Sequence, residues 1–194
     1  MRIFIAVLVL IFSLQSWIKA DDIRDLEIEG ISAGDSALDF FTKLEIETGI
    51  VPHHYKDDKF YDVEINDHKL FKTYQNIQFS FKKNDKKYII YALTGFDFYE
   101  KNVQACLDKV DVVSLEVENI LQDAKKKSSY KNHAYDPSGK SKTKQVFFQH
   151  ETGTIIIECY DWSDKLTKEK SWTDNFGVGI YSREFDVWLA TKAY

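Results

Sequence analysis

DFYEKNVQACLDKVDVVSLEVENILQDAKKK, residues 97–127, is the stretch that decides the fold. Val103, Cys106, Val110, Val113, Val117, Ile120 and Ala124 recur every three or four residues and fall on one stripe of an α-helix. Lys101, Asp108, Asp111, Glu118, Gln122 and Lys125 fall elsewhere and face water. Asp97 with Glu100 reads as a capping box, and Lys125, Lys126 and Lys127 suit the negative end of the helix dipole. An apolar stripe of this length needs a surface to cover, and the segments on both sides are rich in strand formers.

Upstream, Ile77, Phe79 and Phe81 alternate with Gln78, Ser80 and Lys82, the pattern of a half-buried strand. Asn84-Asp85 offers a hairpin turn into Lys87–Leu93, and Phe60–Ile65 reads as a further strand. Asp35 or Ser36 caps an expected short helix carrying Leu38, Phe41 and Leu44, ended by Gly49 and Pro52. Downstream, Val146–His150 and Thr154–Tyr160 form a second hairpin, Phe176, Val178 and Ile180 mark a last strand, and Ser182 caps a closing helix. Lys125–Lys144, with seven lysines, Pro137 and Gly139, reads as a long exposed loop. The expected class is α+β: an antiparallel sheet of about five to six strands, one face covered by one long helix, with shorter helices near both ends of the mature chain. Each half runs helix then strands, which hints at a duplicated unit.

Residues 1–20 read as a secretory signal peptide: Arg2, then an apolar run from Ile3 to Leu14, then a polar stretch closing on Ala20. Residues 21–194 are expected to form a single domain. Removing Arg2 and Lys19 leaves 24 basic against 31 acidic side chains, a net charge of −7. An acidic exported chain is not expected to bind nucleic acid. Two cysteines in such a chain are disulfide candidates. Cys106 lies on the helix stripe and Cys159 alternates with Ile155 and Ile157, so both are expected to face one core.

No stretch carries a complete catalytic signature. Gly34-Asp35-Ser36 resembles the opening motif of the GDS(L) esterases, but neither an Asp-x-x-His pair nor a Gly-x-Asn-Asp block accompanies it. Helix capping is the simpler role for Ser36. His53-His54 with Asp57 and Asp58 lacks a third ligand at a recognisable spacing, so no metal or cofactor is expected. The lysine-rich stretch can meet an anionic surface or be solvated. The densest concentration of binding-type side chains is aromatic: Tyr160, Trp162, Trp172 and Trp188, with Tyr181.

DDIRDLEIEGISAGDS, residues 21–36, and FDVWLATKAY, residues 185–194, resemble the ends of small exported proteins of marine Gram-negative bacteria. That resemblance implies a periplasmic setting and assigns no activity. The Gly-Ile-Ser-x-Gly-Asp-Ser opening is also similar to the helix-start pattern of small helix-then-sheet envelope proteins, the outer-membrane-assembly lipoproteins and the secreted β-lactamase-inhibitor fold. The expected function is non-catalytic: a periplasmic or secreted protein that binds an envelope partner or a small ligand. The rival is a hydrolase using Ser36 or surface carboxylates. A partner surface predicts an exposed apolar patch near Trp162, Trp172 and Trp188, and a carrier predicts a hollow between the long helix and the sheet.

Overall fold

A computed structural model describes residues 20–52, 55–100 and 102–194. The expected signal peptide, up to residue 19, and the His53-His54 pair lie outside the described residues. The strands are β1 (Ile50–Val51), β2 (Phe60–Asn66), β3 (Asn76–Lys82), β4 (Ile90–Phe98), β5 (Lys125–Asn132), β6 (Lys142–His150), β7 (Gly153–Asp161) and β8 (Asn175–Ser182). The helices are α1 (Lys43–Thr48), α2 (Val103–Ile120), α3 (Asp164–Lys170) and α4 (Arg183–Thr191), with 3-10 turns at Ile23–Asp25 and Ala37–Asp39.

All eight strands join one antiparallel sheet in the order β1-β2-β3-β4-β8-β7-β6-β5. Two four-strand meanders, β1–β4 and β5–β8, therefore meet at their last strands. The order is the same read from either edge inward, so the duplication suggested by the helix-then-strands halves is present in the topology.

This corrects the expectation of five to six strands under one long helix. The missing strands are those with little apolar alternation. Lys125–Asn132 pairs with β6 along its whole length, from Lys125 opposite Gln149 to Asn132 opposite Lys142. As an edge strand with almost every side chain in water, it needs backbone partners and no apolar face; its lysines suit an edge. Nor does one helix cover the sheet. Eight strands span about 34 Å, against a helix about 10 Å across. α2 packs chiefly on β6, β7 and β8. The other half of that face is covered by the N-terminal segment, whose Ile31, Ala33, Ala37, Phe41 and Ile46 share a core with Val63, Ile77, Phe79 and Phe81.

α2 is shorter than its sequence pattern predicts. The strand expected over Lys87–Leu93 runs on, as β4, through Gly95 to Phe98. Asp97 is thus a strand residue and pairs with Lys109 at 2.9 Å; Asn102 caps the helix instead, accepting from the Ala105 N–H. The capping boxes that form are Thr42–Glu45, at the start of α1, and Asp22–Asp25, at the first 3-10 turn. Cys106, Val110 and Val117 are buried beneath α2 as expected. Cys106 is joined to Cys159 of β7, with Cα atoms 5.9 Å apart. Among the described residues, no helix is long and apolar enough to cross a membrane. The disulfide pair is compatible with export.

Candidate functional site

Strand alternation gives the sheet two unlike faces. The helix face carries Leu93, Ile155, Ile157, Cys159, Phe176, Val178 and Ile180, all buried. The opposite face carries the alternate residues, and two structures stand on it. At one end α4 lays Phe185 and Trp188 on Phe60 and Ala92. At the other end the face is aromatic and half-buried.

The register lines up that end. One row across the strands reads Phe98, Asn175, Tyr160, Thr143, Lys131; the next reads Asn76, Phe96, Gly177, Glu158, Gln145, Ser129. The absence of a side chain at Gly177 lets the Phe96 ring lie over β8: an added Cβ would stand 3.3 Å from that ring. At Gly179 the same atom would meet the Tyr181 ring at 2.8 Å and the Thr94 hydroxyl at 2.9 Å. The floor is thus tiled by flat rings.

The aromatic corner begins where β7 ends. The Tyr160 and Trp162 rings are parallel, 5° apart in tilt and 5.3 Å between centroids. Trp172, just after α3, lies 4.6 Å from Trp162, and Tyr135 lies 5.0 Å from Trp172. His133 stands edge-on, 4.6 Å from Trp162 and 5.5 Å from Tyr160. Local polar contacts hold the pieces. Asp174 accepts from the Trp162 N–H at 2.7 Å. Asp136 accepts from the N–H and hydroxyl of both Ser138 and Ser141, closing the β5–β6 turn that presents His133 and Tyr135. The Ser141 hydroxyl oxygen then accepts from the Ser163 N–H, tying that turn to the start of α3.

Of the four aromatics singled out in the sequence, the fold brings Tyr160, Trp162 and Trp172 together. Trp188 lies elsewhere, 2% exposed beneath α4, with its indole N–H donated to Asp57 at 2.9 Å. Sequence reasoning does not place His133 and Tyr135 beside the tryptophans, because their segment reads as loop. The usable signal was their position between two stretches of matching length that can pair, 125–132 and 142–150.

The corner holds three carboxyls above their ordinary values. Glu158 is raised by burial, against hydrogen bonds from Gln145 and Tyr160 that oppose the shift. Asp161 is raised by burial, against the charge of Lys142. Asp174 is raised by burial, with Asp161 and Asp164 adding to the shift and the Trp162 N–H opposing it. Burial also pushes the Tyr160 phenol up and the His133 imidazole down, so the ring is neutral at pH 7.

A hollow of about 520 Å³ opens beside the tryptophans. Phe98, Trp162 and Trp172 supply its rings, and Gln75, Glu100, Ser171, Thr173 and Asn175 its polar groups. Two other hollows differ in kind. One of about 570 Å³ lies against β1 and the β3–β4 turn, walled by Ile50, Val51, Tyr61 and Tyr88. Another of about 450 Å³ lies between α2 and the sheet, where a carrier would have one; its floor of Ile155, Val178 and Ile180 is almost wholly covered.

Ser36 is built as a cap. Its hydroxyl donates to the Lys87 carbonyl at 2.7 Å and accepts from the Leu38 N–H at 3.3 Å. His68 lies with Phe41 and Phe71, 3.5 Å from Glu45. Among the described residues, no three His, Cys, Asp or Glu side chains are grouped to hold a metal ion. No family model, curated protein or solved structure matches this chain.

Proposed function

We propose that the chain is a non-catalytic exported protein, periplasmic or secreted, that binds a small ligand at the Tyr160–Trp162–Trp172 corner. The observation that carries this reading is the hollow beside two half-buried tryptophans, Trp162 and Trp172. Side chains that large are normally buried against the chain itself, and rings left at a polar-rimmed hollow provide contact area for something else. Its volume falls within the roughly 300–1,000 Å³ of small-molecule sites. The recess under α2 serves a carrier less well, because its apolar walls are already packed against one another.

The test is intact mass measured on protein purified from an exporting host, under native and denaturing conditions. Extra mass retained only in the native spectrum, and lost in Trp172→Ala, is the expected result. A bare native monomer that also captures no envelope protein through this face overturns the reading.

One observation favours hydrolysis instead: three carboxyls with raised values around the same aromatics, the arrangement expected of acid–base catalysis. A screen of glycoside and ester substrates decides it. Turnover abolished by Glu158→Gln or Asp174→Asn makes the protein an enzyme.

A further inference from the structure

The composition of the hollow identifies a ligand class, given the binding reading above. Among the described residues, its lining has three rings and five polar side chains, and no aliphatic residue. A fatty chain or an apolar peptide is matched by aliphatic walls, which this site lacks. The polar groups are a hydroxyl pair, Ser171 and Thr173, two amides, Gln75 and Asn175, and a carboxylate, Glu100, types that donate to or accept from sugar hydroxyls. Among the described residues no lysine or arginine lines the hollow, and Glu100 brings a carboxylate to it. A quaternary ammonium ion needs rings held apart around it. Here Trp162 and Trp172 touch at 4.6 Å, leaving no slot between them.

What two contacting indoles and an exposed phenylalanine offer is a broad apolar platform with hydrogen-bonding groups at its rim. Pyranose rings are matched to that, with C–H groups on one face and hydroxyls around the edge. The Tyr160 ring is stacked on Trp162 and backs it. We infer that this corner binds a neutral or amino-substituted glycan chain, with one pyranose ring against Trp162, Trp172 and Phe98.

The test titrates the full exported chain with three hexasaccharides, of β-1,4-linked glucose, β-1,4-linked N-acetylglucosamine and β-1,3-linked glucose, and with choline. Binding is followed by calorimetry and tryptophan emission. Saturable binding of at least one hexasaccharide is expected, weakened about tenfold or more by Phe98→Ser and by Trp172→Ala. Phe98 is 42% exposed, so its replacement leaves the fold in place if the tryptophan change does not. Tyr130→Ser, on the other face of β5, leaves affinity unchanged. Choline binding without sugar binding, sugar binding indifferent to both platform changes, or no sugar binding at all overturns the inference. A retained non-sugar mass lost in Trp172→Ala overturns the glycan class and leaves the binding reading standing. No retained mass, no captured partner and no titratable ligand overturn both.

Discussion

Glu158 and Tyr160, two residues apart on the face of β7 away from α2, are hydrogen-bonded: the phenol donates to Oε2 of the carboxyl at 2.8 Å. Gln145 on β6 donates to the same oxygen at 3.0 Å. The pair stands beside the ring floor laid by Phe96, and the carboxyl's environment favours its neutral form.

That preference has a sign that can be measured. Below the ordinary glutamate value of 4.5, the carboxyl is protonated in folded and unfolded chains alike, and its contribution to stability is fully present. As pH rises through the elevated folded value, the charge must be held in a poorly solvated place, and stability is lost. Glu158→Gln keeps a hydrogen-bond acceptor for Tyr160 and removes the charge. The variant is expected to be more stable than the parent at pH 7 and equal to it at about pH 4, read from urea midpoints at both values. A parent that gains on the variant as pH rises contradicts the assignment.

Cys106, in the first turn of α2, is bonded to Cys159, near the end of β7, across a sequence separation of 53. Closing a loop of that length removes denatured-state entropy worth about 4 kcal/mol. The double replacement Cys106→Ala, Cys159→Ala is expected to lower the urea-derived stability by about that amount. Treating the parent with reductant should reproduce the effect, and sugar titration at the far face should be unaltered in the fraction that remains folded.

Which parts of this molecule were legible in its sequence follows from what each part buries. Val63, Ile77, Phe79, Ile155 and Ile157 alternate because one side of their strands meets the core, and those strands are where the pattern puts them. Cys106 and Cys159 were both readable as core-facing for the same reason. β5 buries almost nothing, so its residues carry no trace of the pairing that Lys125–Asn132 makes with β6. That one silence lost the eighth strand, the free edge and the turn that delivers His133 and Tyr135. Trp188 was grouped with Trp162 and Trp172 because aromatic content carries no position. Only α4's docking on Phe60 sends it to the opposite end of the face.

The turn itself can be tested at Asp136. Four donors from Ser138 and Ser141 converge on its carboxylate and hold it well below the usual aspartate range. Such a group stabilises the fold above the unfolded value of 3.8, and the stabilisation fades as pH falls through the depressed folded one. Asp136→Ala is expected to loosen His133 and Tyr135 from the tryptophans. The near-ultraviolet circular dichroism of the corner should weaken while the far-ultraviolet spectrum stays native. An unchanged aromatic spectrum would mean that the turn holds without this carboxylate.

Trp188 is the contrasting tryptophan. Its ring is packed against Tyr55 and Phe60 at 4.9 Å and Phe185 at 5.6 Å, and it is almost wholly buried. Trp188→Ala is expected to cost about 3–5 kcal/mol, the range for emptying a large aromatic site. Oligosaccharide affinity of the folded protein should not move. Loss of affinity without loss of stability would place Trp188 in the binding surface and reverse the division drawn between the two ends of the sheet.

Ser36 decides whether the Gly34-Asp35-Ser36 motif is chemistry or architecture. A nucleophile needs its proton taken by a base, yet this hydroxyl donates to the Lys87 carbonyl, a group that cannot accept a proton at any working pH. Its oxygen meanwhile accepts from the Leu38 N–H and caps the turn at Ala37–Asp39. Ser36→Ala is therefore expected to cost about 1 kcal/mol of stability, the ordinary cost of a lost cap. Any hydrolysis the protein shows on aryl esters should survive the change at the parent rate. A stable Ser36→Ala protein whose ester turnover has vanished would make Ser36 the nucleophile after all. The lost contact with Lys87 would then be a resting arrangement that substrate displaces.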